Sequence, residues 1–77
     1  MVGKLLKDLR VDNMLTLKDV AVLTGFSQVY LSEIERGNKT PKNGNSLKKL
    51  SIGYNIPFDD LLNALMQEIK QEAKSDN

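Results

Sequence analysis

Gln28, Ser32 and Glu33, with Val29 beside them and Arg36 one turn beyond, fall on one face of any helix that holds them. Their chemistry is that of matching hydrogen-bond edges. An amide such as Gln28 donates and accepts at once, which suits the N6 and N7 edge of adenine. A carboxylate such as Glu33 only accepts, which suits the N4 amine of cytosine, and a short apolar side chain such as Val29 can pack on a thymine methyl. Plainer readings stand beside these, with Val29 an ordinary exposed helix residue, Glu33 a solvated carboxylate and Ser32 neutral. Catalysis fits the composition less well. The 77 residues include no histidine and no cysteine, which removes Ser-His and Cys-His nucleophile pairs, the H-E-x-x-H metal motif, cysteine-ligated zinc and disulfides. An enzyme is not expected, nor a cofactor or a metal.

The elements that must hold this face are two short amphipathic patterns separated by a glycine. The first opens at Thr16, an N-cap type, and places Leu17, Val20, Ala21 and Thr24 on one side before Gly25, which takes φ > 0 cheaply, stops it. The second opens at Ser27, turns Leu31 and Ile34 inward and ends at Gly37, with Phe26 at the corner. A turn this short makes the helices cross at roughly 90–120° instead of lying side by side. Ala21 is small enough to allow the approach. With Leu31 and Ile34 anchored, the opposite side of the second helix projects, and a projecting helix has the width of a DNA major groove.

The remaining sequence reads as all-α, with five helices in one small domain over residues 1–77. Helix 1 is expected from about Val2 to Asp12, with Val2, Leu6 and Leu9 inward. A polar loop follows the second amphipathic pattern from Gly37 to Asn45, and helix 4 is expected from near Ser46 with Leu47, Leu50 and Tyr54 inward and Asn55 as a left-handed terminator. Gly53 should weaken that helix by about 0.5–1 kcal/mol relative to alanine. Helix 5 should start at Pro57, carry Asp59 and Asp60 at its positive end and reach about Lys74. Charge is uneven: residues 1–50 hold nine lysines or arginines against five acids, and residues 51–77 hold two against five. The basic part contains the projecting helix. No apolar run approaches transmembrane length and the N-terminus lacks a signal-peptide core, so no membrane is expected and the cytoplasm is the expected location.

The run from Leu15 to Gly37 resembles the helix-turn-helix of the Cro and lambda-repressor-like family, the XRE regulators of bacteria and phages. The resemblance rests on L-T-x-x-x-x-A (Leu15, Thr16, Ala21), T-G-x-S (Thr24, Gly25, Ser27) and Y-L-S-x-I-E-R-G from Tyr30 to Gly37. It extends back through Leu9, Arg10, Leu6, Gly3 and Val2, and forward through Leu47, Leu50, Tyr54, Ile56 and the Leu61-Leu62 pair. It implies a five-helix lambda-repressor-like DNA-binding domain, with bases read from Gln28, Val29 and Glu33 and a phosphate contact from Tyr30. Lys18, Asn38, Lys39 and Lys42 are the further phosphate candidates, at the start of the first pattern and in the loop after the second. It also implies a partly buried salt bridge between Arg10 and Glu35, whose role is structural.

Several positions depart from the family's habit. Leu17 stands where a phosphate-touching Gln is common, and Glu33 where Arg or Gln is common. Met14 replaces a helix-ending glycine, so Asn13 is expected to take the left-handed conformation. Val22 and Leu23 are apolar on an outer face, either covering a partner or scattered on the surface. Such regulators generally bind DNA as homodimers, and Leu62, Leu65, Met66 and Ile69 on helix 5 form a stripe that suits a two-fold mate; alternatively Leu61, Leu62 and Leu65 finish the core while Met66 and Ile69 ride on helix 1. The expected function is a repressor on an inverted-repeat operator in double-stranded DNA. A phage repressor, an antitoxin autorepressor with a toxin partner, a regulator met by an anti-repressor and a restriction-modification controller all fit. The rival from another class is a protein-protein interaction module without DNA binding.

Overall fold

The computed structural model describes the backbone of residues 2–75 and the side chains through residue 69. Five α-helices follow one another: α1 (Val2–Asp12), α2 (Leu17–Thr24), α3 (Gln28–Glu35), α4 (Gly44–Gly53) and α5 (Phe58–Ser75). Among the described residues there is no strand.

Local chemistry sets most of these bounds. Thr16 and Asp19 form a reciprocal capping box at α2, the Asp19 N–H donating to Thr16 Oγ1 at 3.1 Å and the Thr16 N–H to Asp19 Oδ2 at 2.9 Å. The backbone bond from Thr16 holds the Asp19 carboxyl below its ordinary range. Ser27 caps α3 by accepting from the Tyr30 N–H at 3.1 Å. Asn43 caps α4 by accepting from the Asn45 N–H at 2.7 Å, which starts that helix at Gly44, two residues ahead of the sequence expectation. Pro57 lies just ahead of α5 and its carbonyl accepts from the Leu61 N–H at 3.1 Å, with Asp59 and Asp60 in the first turn.

Three helices end alike. Met14, Gly37 and Asn55 have φ of 58°, 83° and 55°. Each is followed by the paired bonds of a Schellman ending, such as Met14 N–H to the Val11 carbonyl at 2.9 Å and Leu15 N–H to the Arg10 carbonyl at 3.0 Å. Asn55 is the left-handed residue expected after α4. After α1 the expectation of Asn13 is corrected to Met14. Asn13 stays in the helical pattern because its N–H and its side-chain amide both donate to the Leu9 carbonyl, at 3.1 and 2.7 Å, which passes the reversal to the next residue.

The core joins all five helices through Val2, Leu6, Val20, Leu31, Ile34, Leu47, Leu50, Tyr54, Leu61 and Leu65. Burying one such aliphatic side chain stabilises by roughly 1.5–3 kcal/mol, so a domain this size depends on nearly every one of them. Two glycines permit the closest approaches. A Cβ on Gly3 would run into the backbone carbonyls of Ile34 and, at 2.7 Å, Glu35, and a Cβ on Gly53 would overlap the Thr24 methyl. Gly53 is therefore not merely a weak point in α4: it lets α4 seat on α2, the two being in direct contact. No described helix is long and apolar enough to cross a membrane.

Candidate nucleic-acid interface

α3 divides sharply along its length. Leu31, Ile34 and Glu35 are buried, whereas Gln28, Val29 and Arg36 are exposed and Ser32 and Glu33 half-buried. The outward residues line one shallow groove, whose other wall is Leu17 from the first turn of α2. Gln28, Val29 and Glu33 are thus brought together. Val29 is 74% exposed, an apolar surface with no protein neighbour to cover it.

The buried side is tied down by charge. Arg10 Nε and Nη2 donate to the two Glu35 oxygens at 2.9 and 3.0 Å, its Nη1 donates to the Leu15 carbonyl at 3.0 Å, and the Tyr54 hydroxyl donates to Glu35 Oε2 at 2.6 Å. A planar guanidinium fork meets a carboxylate in its best geometry. The bond to Glu35 raises the Arg10 pKa against the opposing effect of burial. Burial, and then the bond to Glu35, push the Tyr54 phenol above its ordinary value of 10.0. Among the described residues no buried side-chain polar atom lacks a partner. This network joins α1, α3 and the end of α4, and so fixes how far α3 projects.

The phosphate candidates are dispersed. Lys18 is exposed in the first turn of α2, and Tyr30 is half-buried. The Tyr30 ring meets Phe26 edge-on, centroids 5.0 Å apart, and carries the Lys39 ammonium 5.8 Å from its centre. Asn38 donates its side-chain amide to Glu33 Oε2 at 3.0 Å, so the structure pairs a residue expected at phosphates with one expected at bases. Lys42 is not among the residues that line the groove of Leu17 and α3. It borders a separate apolar hollow with Pro41, Leu47, Leu62, Met66 and Ile69.

Of the four α5 residues expected at a dimer contact, all line the same hollow, and Leu65 is also part of the core, 4% exposed, because α5 packs on both α1 and α4. Leu62 is half-buried, and Met66 and Ile69 are 50% and 56% exposed.

Sequence reasoning named three participants incompletely. Tyr54 was read as core alone, although an inward tyrosine needs a partner for its hydroxyl. Arg36 and Lys7 line a second groove beside the first, together with Arg10, Leu17, Ser32 and Glu35. Their signals were present: Arg36 lies three residues beyond Glu33, and Lys7 one turn before Arg10. Neither forms an ion pair, the Arg10–Glu35 bridge being the only one among the described residues.

This geometry has counterparts in known proteins. A family model described as helix-turn-helix matches residues 6–61. The chain is 36% identical over 63 residues to RghRB, an HTH-type transcriptional regulator of Bacillus subtilis, covering 80% of this chain and 45% of that protein. It is 40% identical over 57 residues to DdrOP3, an HTH-type transcriptional regulator of Deinococcus deserti, covering 74% and 43%. The chain therefore spans less than half the length of either relative. Among solved structures it superposes on the biofilm master regulator SinR in complex with DNA, with a TM-score of 0.71 and 31% identity over 80% of this chain and 98% of that one. The restriction-modification controller C.AhdI of Aeromonas hydrophila gives 0.70 and 27% over 78% and 89%. By the matched family model, these relatives and the outward set of α3, the chain belongs to the Cro and lambda-repressor-like, or XRE, family of helix-turn-helix transcriptional regulators.

Proposed function

We propose that the chain binds double-stranded DNA sequence-specifically by laying α3 in the major groove, and acts as a repressor on an inverted-repeat operator. The observation that carries this reading is the groove of Leu17, Gln28, Val29, Ser32, Glu33 and Arg36, which joins an amide, a carboxylate and an apolar tip on one protruding helix. Cations that form no ion pair among the described residues flank it on two sides, Lys39 over Tyr30 and Lys7 with Arg36 in the adjoining groove. The likeness to SinR in complex with DNA and to a restriction-modification controller supports the same reading.

One recognition helix reads too few base pairs to be selective, so a homodimer is part of the proposal. Met66 and Ile69, beside the hollow formed by Pro41, Leu47 and Leu62, are its contact surface. Selection of bound sequences from a random duplex pool tests the whole reading at once. The expected result is two inverted half-sites with centres about one helical turn apart. The logarithm of the affinity should fall linearly with log salt, and Lys39→Ala should make the slope shallower by about 1. Absence of binding to any duplex even at low salt would favour a protein-interaction module with exposed Val22, Leu23, Met66 and Ile69 as its apolar contacts.

A further inference from the structure

Glu33 is the acid on the reading face. A carboxylate next to a phosphate backbone is disfavoured unless it is aimed at a donor. Glu33 has such an aim built in. The Asn38 amide holds its Oε2 at 3.0 Å, and Asn38 is itself held to the same residue, its N–H donating to the Glu33 carbonyl at 2.9 Å. The left-handed Gly37, at φ 83°, turns the chain so that both bonds reach Glu33.

We infer that Asn38 is a positioning residue for Glu33 and that the pair reads a cytosine. Asn38 holds one carboxylate oxygen, and the other accepts from the N4 amine that cytosine presents in the major groove. The inference rests on the DNA reading of α3 proposed above.

Two observations carry it beyond simple exposure. Glu33 lines the same groove as Gln28 and Val29, along which base edges would pass on that reading. A carboxylate has about four acceptor sites, and one amide bond leaves most of them open. The base follows from the charge. Guanine and thymine present acceptors at O6, N7 and O4, which repel an acceptor-only group, and adenine sets its N7 acceptor beside the N6 donor. Cytosine alone offers a donor without a competing acceptor. Fixing the side chain before binding also reduces the rotamer freedom lost on docking.

The experiment is selection from random duplexes with the full parent chain and with Glu33→Gln, Asn38→Ala and Asn38→Asp, followed by affinities on duplexes varied at the responding base pair. The parent should prefer cytosine about tenfold at one half-site position, and Glu33→Gln, which donates and accepts, should move that position to adenine. Asn38→Ala should keep cytosine but let the preference fall to about threefold, and Asn38→Asp, which sets a second carboxylate beside Glu33, should abolish it. Thermal melting checks that each variant is folded, as expected for Asn38, which is exposed. Equal preference in Asn38→Ala and parent overturns the positioning role, as does a uniform loss of affinity across all duplexes, the mark of a phosphate contact. An unchanged selected sequence for Glu33→Gln overturns the cytosine reading. Failure of the parent to select any duplex sinks the DNA reading of α3 itself, a distinct result that takes this inference with it.

Discussion

Glu33 and Glu35 are separated by one residue of α3 and, at about 100° per residue, by more than half a turn of it. Glu35 is 9% exposed and receives three hydrogen bonds, two from Arg10 and one from Tyr54. Glu33 is half-buried and receives one, from Asn38. The same functional group thus serves two ends. With its charge desolvated and its oxygens occupied, Glu35 has nothing left to offer a ligand and sets the placement of α3 instead. Glu33 is held just enough to be aimed while most of its acceptor capacity stays free. On the DNA reading proposed above, burial and donor count, more than residue type, separate the residues that hold α3 from those that would read.

Arg10→Ala should give the largest effect. It strands the Glu35 carboxylate in the core at roughly 3–5 kcal/mol, a large share of the stability of a domain this small, so DNA binding should be lost through unfolding. A melting temperature equal to the parent's would contradict the structural role. Tyr54→Phe comes next, removing one hydrogen bond to a charged group for about 1.5–3 kcal/mol, measurable by urea denaturation. It also has a pH signature. Because the Tyr54 pKa is raised in the folded chain, the tyrosine's contribution is complete below its unfolded value near 10 and is lost as pH rises beyond it. Loss of stability above pH 10 should therefore be less steep in Tyr54→Phe, and equal alkaline slopes would remove the phenol from the account. The smallest effect is expected at the other carboxylate. Glu33→Ala should melt within about 0.5 kcal/mol of the parent, and a destabilisation as large as that of Tyr54→Phe would erase the distinction between the two acids.

Features encoded within a few residues were readable from sequence. The caps at Thr16 and Ser27 and the left-handed positions at Gly25 and Asn55 depend on nearest neighbours, and they are where the residue types put them. The shared outward side of Gln28, Val29 and Glu33 followed from helical period alone. Asn13 and Asn43 were misjudged for one reason: each asparagine side chain bonds its local backbone, moving a helix boundary by one or two residues. Pairings across the fold were harder to see. Tyr54 reaches Glu35 from 19 residues away, and Lys7 approaches Arg36 only because α1 packs on α3. The Glu33–Asn38 bond is close in sequence, yet it depends on the turn at Gly37, and residue types alone suggested a phosphate role for Asn38.

Gly3 has a practical consequence through the close packing that its missing side chain allows. It brings the start of α1 against the end of α3, where Val2 and Gly3 border a small pocket with Gly37, Lys39, Thr40 and Pro41. The start of α1 therefore lies beside the loop that carries Lys39. An affinity tag or reporter fused at that end would crowd Lys39, which the DNA reading proposed above sets beside a phosphate.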